Sequence, residues 1–417
     1  MNRGGAAAAT WVFRGTWIAA APRPRSGCSV ESRRRRGCDA AIAWETGRGD
    51  STATWTFDRN RRRLRYYDGG VFASTDFKTW TLLDDKIFDK AECPDFYPVP
   101  ADCAGCDATG ARPRPTHVHA TSNWQLGNYT EGDPMTAGAW DPLPGAAAPM
   151  DGQDPTYFYA AKSFWDDVKN RRITWGWIRT ELGPHSTSNK DECTDFVGGN
   201  GRTNMNSLAR ETTFDPLLQR LVFFPVAEYE QLRRRPASRG DGASEATPTP
   251  PRPGGATLAD VGATSLGGAD VDLGLPDGVG LAAELRASFD LPTDGPVRLG
   301  AKIATGSPLV DDAAVSIFVD FVPNANASAT WDVTVGFDLP MGPKGTEVIK
   351  TASMPMKASD TSLELALWVD ANTVEAFWQG GRSAWTVPLS CDAVGNNTNQ
   401  GIALFANTTA SASSATV

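Results

Sequence analysis

The distribution of apolar residues along the chain is typical of β-strands rather than helices. In the first half, short apolar or alternating runs of roughly 5–8 residues recur between turn-rich loops, as half-buried strands require. Repeated short strands with long loops favour a β-propeller, whose blades are small antiparallel sheets. The runs are GGVFAST (69–75), TYFYAAKSFW (156–165), RRITWGWIRT (171–180) and QRLVFFPV (219–226).

In the second half the alternation of apolar and polar positions is sharper, which predicts the strands of a two-sheet sandwich. Residues 370–373 supply a polar turn between the last two runs, typical of a hairpin. The predicted fold class is therefore all-β, with a β-propeller followed by a β-sandwich. The runs are AAELRASFDL (282–291), VSIFVDFV (315–322), TWDVTVGFDL (330–339), LELALWVD (363–370) and TVEAFWQGG (373–381).

A linker is predicted between the two halves. Residues 233–280 are rich in Pro, Gly and Ala and nearly free of aromatic residues. Such a composition buries too little apolar surface to offset the entropy of ordering the chain. The predicted organisation is a basic, disordered arm at 1–37, a propeller at 38–232, this linker, and a sandwich at 281–417.

Charge is unevenly distributed along the chain. Residues 1–65 hold fourteen Arg, no Lys and five acids, a balance of +9. Because the net charge of the whole chain is −9, the remaining residues carry a charge of −18. Nucleic-acid binding is one interpretation of this basic segment, but aromatic interleaving and a known binding module are missing. A solvated arm is favoured instead. We therefore expect no nucleic-acid partner. No apolar run approaches the roughly 20 residues of a membrane span, so we expect no membrane partner either.

The cysteines leave two interpretations open. Cys103 and Cys106 form a CAGC motif, which favours a disulfide that pins the 101–107 loop. A zinc site that adds Cys93 and Cys193 is the alternative, although its spacing fits no common pattern. Sequons at Asn128, Asn326, Asn396 and Asn407 are compatible with secretion, whereas the broken apolar stretch at the N-terminus makes a poor signal peptide. A secreted or vacuolar location is favoured.

Carboxylates are the strongest candidates for chemistry. Of the three His, His117 and His119 form a metal half-site or, more commonly, a pair of polar loop residues. No phosphate-binding loop or GxSxG motif is present. Glu92 lies just before Cys93, a proline and aromatic residues, so partial desolvation favours its protonated form near neutral pH. Glycoside hydrolysis needs such an acid and a second carboxylate, whereas the alternative for Glu92 is an exposed acidic turn.

Five segments carry a resemblance to a known family. They are Asp76–Trp80 (DFKTW), Glu92–Phe96 (ECPDF), 154–177, 221–233 and 367–382. In this order, over roughly residues 38–410, they resemble family 32 of the glycoside hydrolases, the β-fructofuranosidases that include invertases and fructan hydrolases. The resemblance implies a five-bladed propeller, a C-terminal sandwich, and hydrolysis of fructosyl bonds with retention. It implies no metal and no organic cofactor.

The same resemblance assigns roles to individual residues. It makes Glu92 the general acid/base, with Cys93 shaping its surroundings next to the bound sugar. Asp39, in GCDAAIAWETG (37–47), matches the aspartate that holds sugar hydroxyls, although Cys38 replaces the usual Arg. Losing a guanidinium that orients a carboxylate loosens its placement, and loose placement lowers the rate. Asp154 matches a substrate-contacting aspartate, with a turn-capping role before a proline as the alternative.

The sequence departs from the family in one decisive respect, since it holds no Asn-Asp-Pro-Asn-Gly segment to carry the nucleophile. The propeller at 38–232 is accordingly predicted to be truncated, and the chain to hydrolyse sucrose or fructans weakly or not at all. A non-catalytic protein that binds fructan or sucrose is the alternative from another class. An incomplete gene model of an active invertase is the third interpretation. The expected partner is a small sugar, and the oligomeric state is not predicted.

Overall fold

The structure is a computed structural model, and it describes defined stretches of the chain. All of them fall in one unit, Asp39–Val417, and the arm predicted at 1–37 lies outside the described residues. The described residues are 54–57, 63–67, 70–76, 78–84, 87–88, 93–104, 113–120, 124–132, 138–148, 158–178, 205–232, 260–267, 269–275, 282–291, 295–305, 314–322, 332–339, 348–370, 373–388, 401–408 and 410–416.

Three small antiparallel sheets come first in the chain. The first sheet contains β1 (Thr54–Phe57), β2 (Arg63–Tyr67), β3 (Gly70–Ser74) and β4 (Thr81–Asp84). The second contains β5 (Asp95–Pro98), β6 (His117–Ala120), β7 (Trp124–Thr130) and β8 (Ala139–Ala148). In both sheets each strand pairs with the next strand of the chain, which is the pairing of a propeller blade.

The third sheet has five strands around a central pair. Its strands are β9 (Phe158–Asp166), β10 (Arg171–Ile178), β11 (Met205–Asn206), β12 (Arg210–Asp215) and β13 (Arg220–Pro225), followed by a 3₁₀ helix at Ala227–Leu232. One edge of β10 pairs with β9 and the other with β11 and then β12, while β13 pairs with β12. The predicted runs at 69–75, 156–165, 171–180 and 219–226 are therefore confirmed as strands.

A β-bulge interrupts the β9–β10 pair. Lys162 lies opposite Trp175 and Tyr159 opposite Trp177, so two residues of β9 face Gly176 alone. Ala160, inside the bulge, has a positive φ of 49°. Gly176 is required here because an added Cβ would lie 2.3 Å from the ring of Phe158. The bulge changes which face of the sheet the following side chains occupy.

The second half of the chain forms two facing sheets. Short strands β14 (Asp260–Val261), β15 (Thr264–Leu266) and β16 (Val271–Asp272) precede the long ones. The long strands are β17 (Ala282–Asp290), β18 (Val297–Thr305), β19 (Val315–Val322), β20 (Asp332–Leu339), β21 (Val348–Ser353), β22 (Ser362–Asp370), β23 (Thr373–Trp378), β24 (Ser383–Pro388), β25 (Gly401–Ala406) and β26 (Ala410–Thr416), with a 3₁₀ turn at Gln379–Gly381. All five predicted runs in this half are strands.

The two sheets bury one apolar core between them. One sheet has the order β14-β26-β17-β22-β23-β24, with β15 also pairing with β26; the other has the order β16-β25-β18-β19-β20-β21. Along β17, buried and more exposed residues alternate, as they do in a strand with one face in the core. Trp378 and Trp385 are completely buried. The predicted hairpin is confirmed, because Asp370 pairs with Thr373.

The predicted linker ends earlier than its composition suggested. Residues 260–272, placed in the linker at 233–280, contain β14, β15 and β16, which pair with the sandwich strands β26 and β25. Leu266 is completely buried in the sandwich core. A polar, glycine-rich sequence is ordered here because neighbouring strands supply partners for its backbone groups. The part of the predicted linker at 233–259 lies outside the described residues.

The third sheet packs against the sandwich through β23, whose side chains are buried on both faces. Val374, Ala376 and Trp378 enter the sandwich core, whereas Phe377 packs with Phe214 and Phe223 of the third sheet. Packing on both faces explains why four of the six residues of β23 are apolar and why all six are buried.

Charged groups and one close backbone contact complete this interface. Arg210 pairs with Glu375 at 2.6 Å, and Lys357 pairs with Asp215 at 2.9 Å, all four side chains being buried. Gly381 has a φ of 97°, and an added Cβ would lie 2.2 Å from the Phe223 carbonyl oxygen. None of the described helices is long and apolar enough to cross a membrane.

Candidate active site

The motif that contains Glu92 leads into the first strand of the second sheet. Cys93, the first described residue after it, has a positive φ of 49°, which is rare for a residue with a side chain. Its thiol is free and the residue is half-buried. Pro94 and Asp95 follow and are buried. The chain therefore leaves position 92 through a strained turn that a buried proline and a buried carboxylate hold in place.

Lys162 holds this turn from the third sheet. Its Nζ donates a hydrogen bond to the carbonyl oxygen of Pro94, 68 residues earlier in the chain. Burial lowers the pKa of Lys162, while the acidic groups of Asp95 and Cys93 oppose that shift. The bulge in β9 places Lys162 on the face of the sheet that carries Trp175 and Trp177. The ammonium group of Lys162, on the third sheet, thus binds the turn that precedes the first strand of the second sheet.

A second connection between these sheets is buried and polar. Asp95 Oδ2 accepts hydrogen bonds from the backbone N–H of Ser163 at 2.9 Å and from its hydroxyl at 2.5 Å. Arg172 Nη1 donates to the same hydroxyl at 2.9 Å. The Arg172 guanidinium lies 4.2 Å from the ring centre of Tyr97 on β5. Burial raises the pKa of Tyr97 well above its ordinary value, as does Asp95, while Arg172 opposes them.

The two histidines of the HVH motif belong to an aromatic cluster on the second sheet. The His117 ring stacks on Phe96 at 5.0 Å, and the His119 ring stacks on Phe88 at 4.4 Å. Trp140 contacts both phenylalanines. Burial, with a further contribution from Arg172, lowers the pKa of His117 to about 4. The two rings are packing elements, and within the described residues no group of three metal-ligating side chains is found.

Asp76, the first residue of the DFKTW motif, organises the turn between β3 and β4. Its Oδ1 accepts backbone hydrogen bonds from Lys78 and Thr79, both at 2.8 Å. Chiefly these two bonds lower the pKa of Asp76 to about 2. Asp76 is exposed, and its contacts are those of a residue that caps a turn.

The sequence-predicted site residues are only partly covered. Glu92, Asp39 and Asp154 lie outside the described residues, whereas Cys93 lies in the strained turn. Cys103 is disulfide-bonded, which excludes it from the alternative zinc site. The sulfur to which it is joined lies outside the described residues.

Sequence reasoning missed Lys162, Ser163 and Arg172, which contact the Cys93–Tyr97 segment from 68 residues or more along the chain. The signal for Lys162 was present, since it is the last residue of the matched Phe-Tyr-Ala-x-Lys stretch. The signal for Arg172 was not, because arginine at a strand start is ordinary. Together the three residues fix the exit of the chain from position 92 but supply no carboxylate for glycoside chemistry.

A cavity of about 290 Å³ lies elsewhere, between the third sheet and the sandwich. Its lining includes Phe224, Tyr229, Trp368 and Arg286, and none of the sequence-predicted site residues. Arg286 lies 4.7 Å from the Trp368 ring centre and 5.2 Å from that of Phe224. This cavity does not contain the Cys93 turn, so we assign the candidate site from that turn and its buried partners.

Comparison with known proteins places this geometry in context. Residues 39–225 match the family described as glycosyl hydrolases family 32 N-terminal domain. Two similar proteins of Arabidopsis thaliana are the β-fructofuranosidase insoluble isoenzymes CWINV4, 29% identical over 212 residues, and CWINV5, 34% identical over 211 residues. Each alignment covers 47% of this chain, and respectively 33% and 34% of the relative. The chain thus matches about a third of the length of these relatives.

Solved structures give the same assignment for the fold. Fructan 1-exohydrolase IIa from Cichorium intybus superposes with a TM-score of 0.62 at 20% identity, over 90% of this chain and 71% of that one. A variant of that enzyme, in complex with 1-kestose, superposes equally well, with a TM-score of 0.62 at 19% identity over the same shares of both chains. The exo-inulinase of Aspergillus awamori gives a TM-score of 0.51 at 14% identity, over 86% of this chain and 64% of that one. The likeness confirms the all-β architecture of propeller-type sheets followed by a sandwich.

Proposed function

We propose that the chain is a member of glycoside hydrolase family 32 and a glycosidase that hydrolyses terminal fructosyl bonds in sucrose or fructans. The observation that carries this proposal is the family match at 39–225, which contains the whole ECPDF motif at Glu92–Phe96. The names of the similar proteins, β-fructofuranosidases and a fructan exohydrolase, support this substrate class.

In the proposed mechanism, Glu92 is the general acid/base. It protonates the leaving glycosidic oxygen as the bond to the fructosyl carbon breaks, and it later deprotonates the water that attacks this carbon. Retention also requires a nucleophilic carboxylate that bonds to the carbon in the first step and leaves it in the second, and the sequence lacks the Asn-Asp-Pro-Asn-Gly segment that would carry this group. Asp39 braces the fructosyl hydroxyls, Asp154 contacts the substrate, and Cys93 adjoins the sugar. The buried hydrogen bonds that Asp95 accepts from Ser163 support this arrangement because a catalytic group needs a fixed backbone. No metal or organic cofactor takes part.

Activity is tested by incubating the purified chain with sucrose and with inulin and measuring released fructose. We expect slow release, since the sequence lacks the segment that carries the family nucleophile. Glu92→Gln, which keeps the shape but removes the proton donor, is expected to lower the remaining rate by about 10²–10⁴-fold. Asp167→Asn is the matched control, because it makes the same carboxyl-to-amide change in an exposed turn. A folded Glu92→Gln variant with unchanged activity contradicts the assignment.

A non-catalytic protein that binds fructan is the second candidate, favoured by the missing Asn-Asp-Pro-Asn-Gly segment. It predicts saturable heat on titration with 1-kestose or inulin, together with no released fructose from the wild-type chain. Fructose release that depends on Glu92 excludes it.

We also propose that the protein is secreted or vacuolar, a location supported by the four sequons. Fractionation of the source cells with an antibody against the chain tests this, and recovery from the cytosol contradicts it.

A further inference from the structure

Lys162 makes a contact that the proposed mechanism leaves unexplained. A lysine on a strand usually keeps its charged head in water while its stem covers apolar surface. Lys162 is instead half-buried, and its ammonium group points at the carbonyl oxygen of Pro94, in the turn that precedes a strand of a different sheet. Desolvating a charged group is unfavourable unless its new partners compensate for the lost water. The question is therefore why the ammonium group of Lys162 is bound to the Pro94 carbonyl oxygen rather than to water.

A β-bulge in the backbone around Lys162 determines the face of β9 on which its side chain lies. The bulge between Tyr159 and Lys162 puts these residues, three apart in sequence, on the same face of β9. Without the bulge, Lys162 would lie on the opposite face, as residues three apart do in a regular strand. Ala160 adopts a positive φ of 49° within it. Bulges of this kind commonly redirect a side chain next to a functional site.

The turn at Cys93 and Pro94, which accepts the hydrogen bond from Lys162, is strained as well. Cys93 has a φ of 49°, a conformation that costs energy for any residue with a Cβ. A conformation of this kind persists only where the surroundings over-determine it. The Lys162 bond to Pro94 and the Ser163 bonds to Asp95 lie directly after Cys93. Two strained segments from different sheets thus meet at one hydrogen bond, immediately beside position 92.

We propose that Lys162 is a positioning residue, which holds the Pro94 carbonyl and so fixes the direction in which the backbone presents residue 92. This inference rests on the proposed function of Glu92 as the general acid/base. It differs from that function because the proposed role of Lys162 is exerted through its bond to the Pro94 carbonyl oxygen and not by contact with the substrate. The bond acts on the acid through the two intervening peptide units.

The proposal is tested on the full chain by hydrogen–deuterium exchange, which needs no enzymatic activity. In Lys162→Met, amides in the peptide 93–97 are expected to exchange at least about tenfold faster, because the turn opens locally. Lys162→Arg keeps a cationic donor and is expected to restore protection. Lys169→Met is the matched control: it removes the same group from an exposed turn, and is expected to leave peptide 93–97 unchanged.

A second variant tests whether Lys162 acts on the strained turn in particular. Glycine adopts positive φ without steric cost, so Cys93→Gly removes the strain that Lys162 counteracts. In the Cys93→Gly background, Lys162→Met is expected to accelerate exchange at least threefold less than in the wild type. Equal effects in both backgrounds mean that Lys162 packs there without supporting the turn, and they overturn the proposal. If Lys162→Met does not fold, Lys162→Gln carries the same comparison.

Kinetics complete the test. Where the wild type releases fructose, Lys162→Met is expected to lower kcat about 10²-fold, since a misplacement of about 1 Å costs this much, while KM changes less than threefold. Exchange at 93–97 within twofold of wild type in Lys162→Met overturns the positioning role, whatever the activity. If the wild type releases no fructose but exchange responds as expected, the hydrolase proposal fails and the role of Lys162 in the turn stands.

Discussion

The buried ion pair between the third sheet and the sandwich gives the sharpest test of how the two halves hold together. Glu375 on β23 accepts hydrogen bonds from Arg210 Nη2 and from the backbone N–H of Leu208, both at 2.6 Å. Arg210 also donates to the Thr386 hydroxyl at 2.7 Å. Its guanidinium lies 4.2 Å from the ring centre of Phe158. Replacing Glu375 by Ala therefore removes the counter-charge of a fully enclosed cation.

The magnitude follows from burial. Arg210 is 0% exposed and Glu375 is 4% exposed, so water cannot replace the lost carboxylate. Breaking a buried pair by removing one partner costs about 3–5 kcal/mol, because an uncompensated charge remains inside. The orphaned Leu208 N–H adds to this cost, and the two effects are not additive because they share one carboxylate. We expect Glu375→Ala to lower the free energy of unfolding by about 4 kcal/mol.

Urea denaturation followed by tryptophan fluorescence measures this change, since Trp378 and Trp385 report on the sandwich core. The expected loss shifts the midpoint by about 1–2 M urea. Asp320→Ala is the matched control: Asp320 pairs with Arg298 at 2.7 Å, but the side chains are 33% and 38% exposed. Such a pair contributes only about 0.2–1 kcal/mol.

Replacing both partners of the buried pair separates loss of the interaction from burial of a lone charge. Arg210→Met combined with Glu375→Leu removes both charges of this pair, and we expect most of the stability to return, as buried pairs replaced by apolar residues often permit. If Glu375→Ala costs no more than Asp320→Ala, the reasoning from burial is refuted.

Two further predictions concern the second and third sheets. Gly176→Ala is expected to cost about 1–3 kcal/mol, because its Cβ would lie 2.3 Å from the Phe158 ring; thermal denaturation measures this, and Gly262→Ala, whose Cβ meets nothing within 4 Å, is the control. An unchanged melting temperature for Gly176→Ala contradicts the packing. The pKa of His117 is lowered from 6.5 to about 4, so the unfolded state binds more protons between these values, and stability falls as the pH falls through that window. The free energy of unfolding is measured by denaturation at several pH values. Between pH 6.5 and 4 we expect it to fall by about 2–3 kcal/mol less in His117→Gln than in the wild type. Equal falls in the two proteins contradict the lowered pKa of His117.

The sequence predicted the strands well because burial on one or both faces leaves a local pattern. All nine quoted runs are strands, including β19, whose bounds, Val315–Val322, coincide with the run VSIFVDFV. The linker was the main error. Composition predicts whether a segment can fold alone, whereas β14–β16 are ordered by pairing with β25 and β26, more than 100 residues away.

The candidate site was less predictable for the same reason. The ECPDF motif marked the turn, but nothing local indicates that Lys162 and Ser163, 68 residues from their partners, hold it. The bulge that turns Lys162 toward Pro94 is equally hidden, since TYFYAAKSFW reads as a regular strand. Pairing across 165 residues, as between Arg210 and Glu375, lies beyond any periodicity argument.

The third sheet connects the two features that sequence reasoning could not find. On one side, Lys162 and Ser163 of β9 and Arg172 of β10 hold the segment from Pro94 to Tyr97. On the other side, Arg210 on β12 is enclosed by the sandwich, and β10 is hydrogen-bonded to both β9 and β12. A turn that must be placed to within a fraction of an ångström is thus anchored on a sheet whose far strands are buried against a second core. This arrangement gives the sandwich a physical role in the proposed chemistry, although none of its residues needs to touch the sugar.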